Sequence, residues 1–331
     1  MTQTSNFLLG LGLHAGAHGD DPDWRGFWGG LVGRLDGVAE FLTLEDRFAD
    51  PGQDGLDAIL LANWLAPRSR QIGIIAGAPL NFVEPFHVST AIATLDYVSE
   101  GRAGLLAQRL GWQRSAEAGR AIGALNGFPA IEQPSLDSDA LAAIEVVRRL
   151  WDSWEDHAVI RDVASQRYVD GEKLHYIDFQ NADFRVLGPS ITPRPPQGQP
   201  AVAVSWTADA DLALARAADV VFVPAAGDLA GMAAKLRGDG PGKEPKLIAD
   251  LHVGPDGWDA SDLAAAIRTS AAQGARGVRL ILPDPHRQIA DVVDTLVPAL
   301  RADVLADPPL GGHLRSRFSL PAVRNRYAAA A

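Results

Sequence analysis

Short apolar runs alternate with helix-period segments along most of the chain, the pattern produced when parallel strands are joined by helical crossovers. Runs at 7–13, 38–44, 71–78 and 102–108 read as strands, with helices predicted between them at 24–35, 53–65 and 84–98. Pro85 just inside the third of these helices and Gly101 just past its end occupy the positions those residues favour. From Trp112 the alternation lapses for about ninety residues. Within that stretch Leu141, Ile144, Val147, Trp151 and Trp154 recur on one face and predict a helix over 139–154. The remainder, 159–200, is polar and irregular and closes on Thr192-Pro193-Arg194-Pro195-Pro196, which predicts an extended surface connection. Regularity then returns, with strands at 201–205, 220–223, 246–251 and 277–282 and helices at 208–217, 229–236 and 263–272. A last helix carries Ile289, Val292, Val293, Leu296 and Leu300 on one face. Eight strands and eight crossovers predict a closed (β/α)8 TIM barrel, one domain over 1–331 with an insertion after strand four at about 112–200. An open doubly wound sheet is the alternative.

Composition narrows the chemistry. Of 331 residues 47% are hydrophobic and 21% charged, enough to bury a sizeable core. The net charge of −11 opposes attraction to nucleic acid or anionic lipid, so neither is an expected partner. The absence of cysteine excludes disulfides, thiolate nucleophiles and cysteine-ligated metal centres. No apolar stretch approaches the ~20 residues of a membrane span, and residues 1–13 lack the basic start of a signal peptide. A soluble, cytoplasmic protein is expected.

In a barrel of this kind the site lies at the carboxyl ends of the strands. Position alone therefore nominates His14, Glu45 and Asp46, Ala76 and Gly77, Gln108 and Arg109, Ser205, Trp206 and Thr207, Asp250 and His252, and Asp284 and His286. His14 and His18 have the spacing of a helical ligand pair, but on a strand end and loop that spacing does not share a face, and no metal is expected. Glu45 and Asp46 are either barrel-top carboxylates or loop acids capping the next turn. Arg109 either neutralises a phosphate or pairs with a neighbouring carboxylate. Trp24, Trp112 and Trp206 fall on predicted loops, where they either wall a flat substrate or simply pack. No dinucleotide fingerprint, P-loop or nucleophile elbow occurs, which leaves redox chemistry on a borrowed organic cofactor as the natural expectation.

Longer strings are more specific. Pro85-Phe86-His87-Val88 followed by Leu95-Asp96-Tyr97-Val98-Ser99-Glu100-Gly101-Arg102 resembles the luciferase-like flavin monooxygenases, with Glu100 where the signature has glycine. Leu150-Trp151-Asp152-Ser153-Trp154-Glu155-Asp156, Lys173-Leu174-His175-Tyr176-Ile177, Phe184-Arg185-Val186-Leu187-Gly188-Pro189 and Pro195-Pro196-Gln197-Gly198-Gln199-Pro200 are similar to the subgroup of nitrilotriacetate, long-chain alkane and dibenzothiophene sulfone monooxygenases. His313-Leu314-Arg315 and Asn325-Arg326-Tyr327 fit the same subgroup. The resemblance implies a (β/α)8 barrel that takes reduced FMN from a separate reductase and, with O2, inserts an oxygen atom into a small organic substrate. It further implies pairing into a homodimer or homotetramer. By the same resemblance Asp46 approaches the flavin ring, Ala76 and Gly77 pack against it, and Gln108 and Arg109 contact the ring or its ribityl chain. Ser205 and Thr207 belong to the phosphate loop, and His14, the candidate catalytic residue, faces the substrate. The Ala-Gly-x-Ser loop of the subgroup is Ser205-Trp206-Thr207-Ala208 here, and Trp206 is expected to crowd a backbone cradle. Two alternatives keep the fold: hydride transfer on the deazaflavin F420, and a non-catalytic flavin-binding or cofactor-free paralogue.

Overall fold

A computed structural model of the chain describes residues 7–48, 55–111, 117, 133–206, 208, 211–237, 244–254, 259–308 and 311–328. Eight parallel strands close on themselves: β1 (Leu8–His14), β2 (Phe41–Glu45), β3 (Gly73–Pro79), β4 (Ala103–Gln108), β5 (Ala201–Ser205), β6 (Val220–Pro224), β7 (Lys246–His252) and β8 (Gly277–Ile281). Each pairs with its neighbour in sequence, and β8 returns to β1 with Leu8 opposite Gly277. The open sheet is thereby excluded. Helices α1 (Trp24–Leu35), α2 (Ala58–Leu65) and α3 (Pro85–Val98) surround the first half. Asp57 and Glu84 cap α2 and α3, each accepting a backbone N–H three residues on.

Strand residues alternate between two apolar layers, as the two-residue period of a strand requires. Leu9, Leu42, Ile74, Leu105 and Val221 lie in the shell between strands and helices, whereas Leu8, Phe41, Ile75, Leu106 and Phe222 fill the barrel. Burying each such side chain is worth roughly 1.5–3 kcal/mol. Gly10 is what lets Phe41 cross the interior, because a Cβ there would stand 2.1 Å from the Phe41 ring. Leu314 and Phe318, on the short helix Leu314–Arg317 and its cap, close the amino-terminal end of the barrel against Phe41, the two phenyl centroids lying 5.3 Å apart.

Between β4 and β5 the helix α4 (Gln133–Asp152) packs against α3, and two short hairpins follow, Val159–Asp162 with Arg167–Val169 and Phe179–Gln180 with Arg185–Val186. The helix thus spans Gln133–Asp152 instead of 139–154. Trp154 has left it to bridge Leu174, and its indole donates to the Ser190 carbonyl at 2.8 Å. The proline-rich stretch also departs from the expected surface connection. Gln197 is buried, its amide donating to Asp96 Oδ1 and the Ala103 carbonyl at 2.6 and 2.8 Å, so this segment is sewn to the base of β4. Among the described residues no helix is long and apolar enough to cross a membrane.

Candidate active site at the barrel mouth

Strand parity decides which side chains face the mouth. Counting upward from the interior residues Phe41, Leu106, Ala203, Phe222 and Ile248 brings Glu45, Gln108, Ser205, Pro224 and His252 to the carboxyl rim. They surround a cavity of about 400 Å³, within the range of small-molecule sites. Leu106, Ala107, Phe222 and Ile281 supply its apolar surface.

The floor is charged. Arg279, in the middle of β8 and 2% exposed, donates through Nε and Nη2 to both oxygens of Asp250 at 2.8 and 2.7 Å. Its Nη1 donates to Thr43 Oγ1 at 3.0 Å and lies 3.6 Å from the Glu45 carboxylate. The guanidinium carbon stands 3.9 Å from the Phe222 ring centroid, a cation–π contact from below. A bidentate pair with a satisfied third nitrogen is how a buried arginine is kept ionised. Reading strand ends missed Arg279. The signal was present as one cationic residue in the apolar run of β8, at the parity of the barrel interior.

Asp46 has the opposite parity to Glu45, and its carboxylate accepts the N–H groups of Phe48 and Ala58 at 2.7 and 3.1 Å, tying the loop after β2 to the start of α2. Its backbone is paired with the Gln108 carboxamide, Asp46 N–H donating to Oε1 at 2.8 Å and Nε2 donating to the Asp46 carbonyl at 3.2 Å. Gly77 makes this clasp across the end of β3 feasible, since a Cβ there would meet Gln108 Oε1 at 2.2 Å and the Asp46 nitrogen at 2.7 Å. Ala76 faces the outer shell. Arg109 lines the cavity but is engaged by Asp137, Nε to Oδ1 at 3.2 Å, and by Asp211. Asp211 also accepts the Ala208 N–H at 3.1 Å. Ser205 lines the cavity.

His14 ends β1 beside Glu45 in the register of the sheet. His18 Nδ1 faces Trp28 Nε1 at 3.4 Å, and His286 stacks on Phe27 with centroids 4.2 Å apart. Asp284 caps the helix Pro285–Asp291 by accepting the Arg287 N–H. Trp24 packs on Trp64 at 5.4 Å, both half-buried against the shell between strands and helices and neither on the lining of the mouth. Trp206 is 1% exposed and belongs to the shell between strands and helices, so the indole does not crowd the mouth. The parity that turns Ser205 inward turns Trp206 outward. Trp112 and Thr207 lie outside the described residues. Among the described residues no three histidine or acidic side chains are grouped to hold a metal ion.

Residues 36–238 match the family model of luciferase-like monooxygenases. The chain belongs to that family. It is 32% identical over 195 residues to N-acetyl-S-(2-succino)cysteine monooxygenase of Bacillus subtilis (strain 168), covering 57% of this chain and 42% of that protein. It is 34% identical over 215 residues to a subunit of pristinamycin IIA synthase of Streptomyces pristinaespiralis, covering 63% and 68%. Nitrilotriacetate monooxygenase component A of Aminobacter aminovorans is 34% identical over 169 residues, or 50% of this chain and 36% of that protein. The match therefore spans well under half the length of two of these relatives. The fold is also that of long-chain alkane monooxygenase, with a TM-score of 0.78 over 96% of each chain at 18% identity.

Proposed function

We propose that this member of the luciferase-like monooxygenases is the oxygenating component of a flavin-dependent system, taking reduced FMN from a separate reductase and oxygenating a small organic substrate with O2 at the barrel mouth. The observation that carries the reading is the mouth cavity itself, unobstructed by Trp206 and set at the strand ends where barrels of this architecture place their sites. Its donor and acceptor set suits a flavin. The Ser205 hydroxyl donates, Glu45 and Asp250 accept, and Leu106, Ala107 and Ile281 offer apolar surface to a ring. Bound reduced flavin supplies the electrons that activate oxygen. The chain's own part is to hold the ring against the apolar surface, to exclude water, and to fix polar groups around it through the Arg279–Asp250 pair and the Gln108–Asp46 clasp. His14 and Glu45, at adjoining strand ends, would face the substrate side. Cytoplasmic location and self-association as a homodimer or homotetramer belong to the same reading and rest on the resemblance.

The phosphate end is less favourable. Two carboxylates, Asp137 and Asp211, already offset Arg109, so a phosphate dianion gains little beside it. This charge balance favours a second reading, a member of the family that has lost catalysis and serves as a companion subunit. Fluorescence titration of the purified chain with oxidised and reduced FMN tests the proposal. Micromolar or tighter binding, with riboflavin within about threefold of FMN, is expected; absence of binding at high micromolar flavin removes the monooxygenase reading and leaves the companion subunit. Turnover that proceeds without oxygen would instead point to hydride transfer on a deazaflavin.

A further inference from the structure

Beside the mouth, on the far side of the β3 and β4 ends, the loop after β3, helix α4 and the second hairpin enclose another cavity of about 310 Å³. Its surface is mostly apolar, with Leu80, Val83, Ala143 and Val186 among its walls. One carboxyl is built into it. Asp139 is 4% exposed, and a single oxygen accepts Asn81 Nδ2 at 3.0 Å. Asn81 is committed on both sides, donating also to the Leu136 carbonyl at 2.8 Å and accepting the Leu110 N–H at 3.0 Å. Asn81 therefore holds Asp139 in place without supplying a charge.

Among the described residues no cation pairs with Asp139. The surrounding charges make the want of one sharper. Glu84, at the rim, spends its carboxylate capping α3, and Asp183 adds negative potential from the hairpin. Arg185, the cation on the lining, is paired with Asp178 through Nε at 3.2 Å, and Asp137, two residues along α4, is spent on Arg109. A carboxylate desolvated without a counter-charge is costly, and burial pushes Asp139 up to about 6. An acid of this kind in an apolar recess is a ligand-site signature.

We propose that this cavity binds a small hydrophobic primary amine, its ammonium group paired with the Asp139 carboxylate and its hydrocarbon body lying between Leu80, Val83, Ala143 and Val186. The inference does not depend on the flavin reading. A charge-assisted N–H···O bond in this low-dielectric setting provides the missing counter-ion, and the apolar walls reward the body of the ligand.

Cyclohexylammonium and cyclohexanol, nearly equal in shape, are the probes. Calorimetric titration of the full chain at pH 7.5 should show the amine binding at least tenfold tighter than the alcohol. D139N should erase that preference, and at pH 5, where Asp139 is protonated, the amine should weaken severalfold. A143F, which fills the recess and leaves Asp139 in place, should abolish amine binding, and serves alone if D139N does not fold. In methyl NMR spectra the amine should shift Leu80 and Val186 but not Ile281 at the mouth. Equal affinity for the two probes, no binding of either, amine binding undiminished in D139N or A143F, or shifts confined to Ile281 would each overturn the proposal. None of these outcomes bears on flavin binding.

Discussion

Arg279 occupies a barrel layer that branched aliphatic side chains usually fill. It is tolerated because Asp250, Thr43 and Glu45 surround its nitrogens and Phe222 its face. Asp139 is the opposite case, a buried acid with no cation beside it among the described residues, and pH exposes the difference. Its native pKa of about 6 lies above the ordinary 3.8, so the folded chain holds the proton more tightly than the unfolded one. The stability this confers is complete below about pH 4 and is lost as pH rises through 6, a loss of about 2–3 kcal/mol by neutral pH. D139N is blind to this titration. Its thermal midpoint relative to the parent should rise by several degrees between pH 4 and pH 7.5, and a pH-independent difference would refute the assignment. At this scale the sequence was only partly legible. Position at a strand end nominated Glu45, Gln108, Ser205, Asp250 and His252, which do line the mouth. It could not separate Asp46 from Glu45 or Trp206 from Ser205, because one step along a strand reverses the side chain and the register was not fixed by the pattern alone. Asp139 carried no signal at all, since the residues that enclose it, in the loop after β3 and the second hairpin, are distant in sequence.

Elements were far more legible. Helix α1 and strand β5 fall where the periodicity puts them, and the later boundaries shift by a few residues at most where apolar runs are bounded by turn residues. The irregularities have local causes. The last long helix contains a π turn, Val292–Leu296, directly before Pro298, whose ring would clash with a carbonyl four residues back and which has no N–H to donate. The end of α3 is another. Glu100 has φ of 56° and Gly101 φ of 85°, two successive left-handed residues where the family signature places glycines. A side chain in that region costs roughly 1–2 kcal/mol, partly offset by the smaller unfolded-state freedom of a non-glycine residue. Glu100 is exposed, and what its replacement gives back is the attraction of its charge for the buried Arg102 guanidinium. E100G should stabilise the chain by about 0.5–1 kcal/mol in denaturant unfolding, with the slope unchanged. Apart from its helix the insertion reads only as a lapse, because its hairpins are too short for periodicity to register and Gln197 and Arg194 are held by bonds to distant residues.

The whole molecule is polar along the barrel axis. One end carries the charged cavity of the mouth, the other is stopped by Leu314 and Phe318, with Arg317 reaching the Glu40 carbonyl at 3.1 Å. Burial raises the pKa of Glu40, whose Oε2 nevertheless accepts the Leu9 N–H at 2.7 Å, so this end too is pinned across strands. F318A should lower unfolding free energy by about 3–5 kcal/mol, measured in denaturant, while leaving the flavin titration unchanged. A drop in flavin affinity equal to that of a mouth substitution would show the two ends to be coupled. The closed barrel itself followed from counting strands, but its stopper did not, since two apolar residues in a short polar-flanked stretch read as any surface turn.

That stopper has a bearing on how the protein is made. A chain growing from the ribosome can pair its strands in order as they emerge, yet the phenyl ring that seals their base is the 318th residue and follows the last strand by a whole further helix. Until it arrives, the greasy underside of a nearly finished cylinder faces water, and it is there that a chaperone would have its longest opportunity to bind.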